Sequence, residues 1–187
     1  MRKPAKSEHN GLAPIREDGR VLIEVHVAGA CIRVVNGRWK LLAAKRTDQR
    51  SLYPGKWECG GGQVRRGEDF ASAIKRQIFE EFGLNVAPYQ IVEEYSIPIQ
   101  GSVIPGLRWL CIASAGRVRL NPREFSRYQW VDFPVPKLDW IGGLMETLNR
   151  ISLPRAEAFI LPADAISDIE TPKAAAPMRP GFVSKIS

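Results

Sequence analysis

The sequence predicts an α/β fold, a mixed sheet packed between helices. Three features carry this expectation. A run rich in Val and Ile from Val21 to Val35 is followed by Asn36-Gly37, a strong two-residue hairpin signal, and then by a second apolar run. A single amphipathic stretch, Phe70 to Phe82, is bounded by a glycine-rich loop before it and Gly83 after it. Further strand-like runs follow, and then a second stretch with helical spacing, so strands flank one helix and a second helix closes the series.

The first 20 residues are polar, with Pro, Gly and Asn, and read as a flexible basic N-terminal segment. In the run from Val21 to Val35, the residues Val21, Ile23, Val25 and Val27 share one face of a strand. His26 falls within this run and reads as structural. Trp39 to Ala44 forms the returning strand, with Lys45 and Arg46 at its end. Thr47 to Gly55 is a polar loop, and Trp57-Glu58-Cys59 links it to the glycines.

Beyond the helix, Val86 to Gln100 contains a strand centred on Ile91 to Ile97. Pro105 to Ala115 contains another, with Leu107, Trp109 and Cys111 on one side. Asn121 to Arg127 reads as a polar loop, and Tyr128 to Val131 as a short strand. Pro136 to Ile151 carries Leu138, Ile141, Leu144, Met145 and Leu148 at helical spacing, although Gly142-Gly143 opposes a helix there. The expected domain is therefore 21–153. The segment 154–187 is an Ala- and Pro-rich extension, largely disordered after about residue 170, although 156–161 has the content for one more element.

The helix from Phe70 to Phe82 has two sides. At 100° per residue Phe70, Ile74, Ile78 and Phe82 form an apolar stripe. Gln77, Glu80 and Glu81 fall on an adjoining sector. Glu68 or Asp69 is placed to favour the helix N-terminus, and Gly83 to end it. Two glutamates late in a helix oppose its dipole unless a cation compensates. With a neighbouring amide and a glycine loop they make a set of hard oxygen donors, suited to Mg²⁺ or Mn²⁺ and not to zinc. A solvated acidic helix end is the plainer alternative.

The spacing resembles the Nudix box, G-x5-E-x7-R-E-U-x-E-E-x-G-U with U aliphatic. Gly62, Glu68, Arg76, Ile78, Glu80, Glu81, Gly83 and Leu84 occupy its fixed positions. One position departs: Gln77 stands where the family has Glu. Cys59-Gly60 also replaces the apolar-Pro pair common before the family's glycines. The resemblance implies a Nudix-type α/β/α sandwich and Mg²⁺-dependent hydrolysis of a diphosphate linkage in a nucleoside-diphosphate-type substrate.

Carried over residue by residue, the resemblance implies Glu80 and Glu81 as metal ligands, Glu81 foremost, with the Gly61 carbonyl as a further ligand. Arg76 would orient its acidic neighbours, Glu68 or Glu80, and Glu68 would tie the loop to the helix, with contact to the metal as the alternative. Gln77 occupies a position that supplies the general base in some members, yet an amide cannot take a proton near neutral pH. Glu124, in a late loop, resembles a family position that contributes a carboxylate, so it is the candidate base; a surface loop acid is the alternative. Arg46 is a candidate phosphate contact through a bidentate guanidinium, or else an exposed charge, and alternation directs Lys45 to the other face. Trp57 is a candidate for stacking on a base, or else a buried tryptophan.

Composition narrows the partners. The net charge of +7 is concentrated in the tails: residues 1–20 hold five basic and three acidic residues, and residues 171–187 three basic residues and no acid. No nucleic-acid-binding module is recognisable, and a solvated basic tail is the simpler reading. No apolar run is long enough to cross a membrane, and no apolar stretch marks a secretory signal. Cys31, Cys59 and Cys111 form neither a zinc pattern nor a disulfide framework, as expected in a reducing cytoplasm. The partner expected is a nucleotide or other diphosphate-containing small molecule, and a homodimer is common in folds of this kind. Gln77 keeps open a second function, a non-catalytic nucleotide- or partner-binding protein of the same fold. Tyr53-Pro54-Gly55-Lys56-Trp57 and Cys59 loosely resemble the isopentenyl-diphosphate isomerase branch, but the chain has only His9 and His26 to serve as that branch's histidine ligands.

Overall fold

The computed structural model describes residues 24–99 and 102–155. The expectations for residues 1–20, for the strand start at Val21 to Ile23 and for 156–187 lie outside the described residues.

Among the described residues nine elements follow in chain order: β1 (His26–Val35), β2 (Arg38–Arg46), β3 (Trp57–Glu58), β4 (Gly61–Gln63), α1 (Phe70–Phe82), β5 (Val86–Ile99), β6 (Ser102–Ala113), β7 (Phe125–Asp132) and α2 (Leu144–Asn149). Asn36 and Gly37 both have positive φ, +51° and +73°, which lets a two-residue turn match the twist of the β1–β2 hairpin. β6 starts at Ser102 and β7 at Phe125, earlier than the sequence predicts, because pairing with β5 and β2 extends them into runs of weak strand propensity.

The sheet is mixed. Its path is β3-β2-β1-β6-β5, with β4 on β1 and β7 on β2. β1 and β6 run parallel and the other pairs are antiparallel. β1 and β2 pair only near their turn, Ile32 to Val35 against Arg38 to Leu41. Beyond that they part, and segment 57–63 fills the gap, with β3 on β2 and β4 on β1. This split brings the glycine loop into the middle of the sheet.

One core lies under α1, where Ile74, Ile78 and Phe82 are fully buried against Val27, Cys31, Leu42 and Phe125. The second, on the opposite face, gathers Leu41, Leu110, Trp57, Trp140, Leu144 and Leu148. The layers are thus helix, sheet and short helix, as predicted. Two details differ. Phe70, at the start of the apolar stripe, is 41% exposed and takes no part in the core under α1. The predicted helix from Pro136 to Ile151 is reduced to Leu144–Asn149. Gly143, at φ +77°, precedes its first turn, and upstream Trp140 bridges Trp57 as an extended segment.

Candidate functional site

α1 is fixed at both ends as its sequence implies. The Asp69 carboxylate accepts from the Ser72 amide at 2.7 Å, and Gly83, at φ +65°, donates to the Phe79 carbonyl. The glycine loop lies directly on the last two turns of this helix. A Cβ at Gly60 would fall on the Glu81 carboxylate and the Phe82 ring, one at Gly61 on the Val27 carbonyl oxygen, and one at Gly62 on the Gln77 amide. Gly60 and Gly62 therefore allow the backbone to touch the Gln77–Glu81 face, and Gly61 allows it to lie against β1.

Glu81 is only 3% exposed, and its carboxylate accepts from the Gly61 amide at 2.9 Å. Burial, then the charges of Glu58 and Glu124, push its carboxyl well above the usual range; the Gly61 N–H and Arg46 act in the opposite direction. Gln77 donates its amide to the Gln63 carbonyl at 3.2 Å. Glu68 takes two bonds from Arg76, each 2.7 Å, and one from the Arg65 amide. Those bonds hold the Glu68 carboxyl down to about 2. Arg76 also reaches the Gln63 carbonyl and Glu80. It is a clamp between loop and helix.

A cavity of about 490 Å³ opens over the split in the sheet. One end is walled by Arg46, Glu58, Gly61, Gln77, Glu81 and Glu124, the other by His26, Glu93, Tyr95 and Arg108. Arg46 is 9% exposed; its Nε donates to the Leu52 carbonyl at 2.9 Å and its Nη1 pairs with Glu58. Arg50 lies 3.4 Å from Glu124.

Comparison with known proteins decides the family, since the NUDIX domain model matches residues 25–142, well over half of the chain. The chain belongs to the NUDIX domain family. A Nudix hydrolase from Yersinia pestis is 28% identical over 101 residues, covering 54% of this chain and 55% of that protein, so the match spans about half the relative's length. The nucleoside triphosphatase NudI of Escherichia coli is 28% identical over 101 residues, covering 48% of this chain and 71% of that one. Among solved structures, the MutT protein of Methanosarcina mazei superposes with a TM-score of 0.56 at 18% identity, covering 67% of this chain and 90% of the other. The MutT NUDIX hydrolase of Burkholderia pseudomallei does so with a TM-score of 0.54 at 21% identity, covering 68% and 98%. At these identities the two structures establish a shared fold.

Within this NUDIX domain, Gly61, Gln77, Glu81, Arg46 and Glu124 meet at one end of the cavity. Glu80 and Trp57 do not. Glu80 turns outward into ion pairs with Arg65, at 3.0 Å, and Arg76, at 3.2 Å, because the next position along the helix, 100° away, is the one that faces the loop. Trp57 is 5% exposed within the second core, with Arg127 over its ring, so it has no face to offer a base. His26 is structural in that its Nδ1 meets the Tyr95 hydroxyl at 2.5 Å, yet it also lines the cavity. Sequence reasoning missed Glu58, Glu93, Tyr95 and Arg108. Glu58 adjoins the glycine loop and was within reach of inspection. The other three become neighbours only through strand register.

The donor set suits a divalent cation. The charges of Glu58 and Glu124 both act against that of the buried Glu81, and a hard cation relieves that repulsion. Among the described residues, however, no three His, Cys, Asp or Glu groups are close enough to hold an ion by themselves. Such a set matches an ion that takes one or two carboxylates from the protein and its other ligands from substrate and water, the usual habit of Mg²⁺. Among the described residues no helix is long and apolar enough to cross a membrane.

Proposed function

We propose that this NUDIX domain hydrolyses a diphosphate linkage in a nucleoside-diphosphate-type substrate, with Mg²⁺ or Mn²⁺ as cofactor. The observation that carries the reading is Glu81, a buried carboxylate held against a glycine loop at the wall of a cavity that also contains three further acids and three arginines. Glu81 and the Gly61 carbonyl would hold the ion, with Glu80 limited to bracing Arg76 and Arg65. Bound there, the ion neutralises phosphate charge and lowers the pKa of attacking water.

The chain's own groups supply the rest. Arg46 and Arg50 meet the phosphate oxygens. Glu124 accepts the water proton as the water oxygen bonds to phosphorus, and the bridging P–O bond breaks to release the second phosphate-bearing product. Arg50, 3.4 Å from Glu124, holds that carboxylate in position. A NudI-type nucleoside triphosphatase among the relatives supports a nucleotide as substrate. The three free, buried cysteines support a reducing, cytoplasmic setting.

Gln77 favours a second reading, a domain that binds nucleotide without turnover. Product release from nucleoside triphosphates, nucleotide sugars and dinucleotide polyphosphates, with Mg²⁺ or with chelator, separates the two. The hydrolase reading expects Mg²⁺-dependent turnover that Glu81→Gln abolishes. Silence across the panel, with nucleotide binding by calorimetry, favours the binding protein.

A further inference from the structure

The far end of the cavity is a built surface that diphosphate chemistry does not use. Two rows of residues in register cross the sheet there. Glu93, Arg108, Ala28 and Gly61 form one row, across β5, β6, β1 and β4. Tyr95, Gly106, His26 and Gln63 form the next, two residues along each strand and so on the same face. Gly106 is required, because a Cβ there would fall on the Tyr95 ring; without one, Tyr95 lies flat across β6 and reaches His26.

Arg108 is the centre of this surface. Its side chain is 12% exposed, its Nε donates to Glu93 at 2.7 Å, and its guanidinium lies 5.1 Å from the Tyr95 ring centre. The other Glu93 oxygen accepts from the Thr147 hydroxyl of α2 at 2.7 Å. The two terminal NH₂ groups of Arg108 donate to no described residue, and Arg108 lines the cavity. Each Glu93 oxygen keeps a lone pair beyond its one bond. The pair thus presents donors beside an acceptor, with its charges already balanced. A phosphate has no N–H for Glu93 and is better served by Arg46 and Arg50 at the opposite end. Two strand spacings, about 10 Å, separate Gly61 from Arg108, which leaves room for a sugar between the two ends.

We propose that Arg108 and Glu93 read the lactam edge, O=C–N–H, of a keto nucleobase such as hypoxanthine, guanine or uracil. The terminal NH₂ groups of Arg108 donate to the carbonyl, and Glu93 accepts from the ring N–H. An amino base reverses the pattern: its NH₂ meets the guanidinium and its bare ring nitrogen meets the carboxylate, so both protein groups lose their partners. This inference rests on the cavity being a nucleotide site.

The test compares kcat/KM for ITP against ATP and for UTP against CTP, pairs whose bases differ at this edge. The wild-type protein should favour the keto member of each pair about 10-fold or more. Arg108→Lys keeps the charge opposite Glu93 but replaces the planar fork with a point donor, and should shrink both ratios towards one while the melting temperature holds. Equal rates within the pairs, or a fall in all four rates with the ratios unchanged, would overturn the assignment. If no triphosphate is hydrolysed, the same pairs are compared by calorimetry with Mg²⁺. A keto preference in affinity then keeps the inference while the hydrolase reading fails; equal affinities, or no binding, overturn it.

Discussion

Gln77 shows how closely the loop and helix are fitted. Its amide donates to the Gln63 carbonyl, and Gly62 has no side chain because the amide fills that space. A carboxylate in its place cannot donate, so Gln77→Glu sets two acceptors face to face. Without metal we expect a loss of about 1–2 kcal/mol, read as a lower melting temperature. With Mg²⁺ the added carboxylate has a cation to face, so the loss should shrink and turnover should rise. No gain in turnover with Mg²⁺ would show that the missing base does not belong at this position. Gly61→Ala is harsher: φ is +148° and the Cβ meets the Val27 carbonyl oxygen, so the loop must part from β1. Turnover should fall to background, with the variant melting below wild type.

At this scale the sequence was informative where the short spacing from the loop into the helix decides contact. Glu68 and Arg76, eight positions apart, do meet. Sequence reasoning failed where rotation or register decides. One residue along a helix separates Glu81 in the cavity wall from Glu80 in its surface ion pairs. Glu93 and Arg108 are 15 positions apart and meet only through the β5–β6 register, which no local pattern specifies.

Among the elements, α1 was legible from its caps and period, because Asp69, the buried Ile74–Ile78–Phe82 stripe and Gly83 all agree. α2 was not, because apolar spacing from Leu138 to Leu148 looks the same whether the chain is helical or merely packed on a sheet. The α1–sheet contact is tight: Ile74 and Ile78 pack where Gly29 gives β1 no side chain. Ile78→Ala should cost about 2–5 kcal/mol in denaturant unfolding, the range for a fully buried aliphatic side chain. A cost under about 1 kcal/mol would mean that α1 is not seated as described. The Glu68–Arg76 clamp behaves differently with acid. The folded Glu68 carboxyl, at about 2, lies below its ordinary 4.5, so its stabilising share is complete above 4.5 and disappears as the pH falls towards 2.

For the whole molecule, the split sheet is the feature that makes the site. It was half legible: the strands and the glycine loop were foreseen, the parting of β1 from β2 was not, since it depends on which strand edges 57–63 occupies. The same packing sets acid stability. Burial, then Arg108 and Arg46, lower the His26 imidazole from 6.5 to about 4, with the Tyr95 hydroxyl on its Nδ1. Between those values the unfolded chain takes up a proton that the folded one refuses, so stability falls as the pH drops through this window. The loss is on the order of 3 kcal/mol. His26→Gln should flatten that part of the stability–pH curve, and an unchanged slope would assign it to other groups.

The central claim is that this cavity splits a diphosphate with water. It is tested most directly by turnover of a nucleoside triphosphate with Mg²⁺ in ¹⁸O-labelled water, followed by mass analysis of the products. The account predicts one solvent oxygen on a phosphorus of the cleaved linkage, with no label incorporated by Glu81→Gln. Cleavage without label would mean transfer to another acceptor, and the absence of cleavage in the wild-type protein would contradict the account.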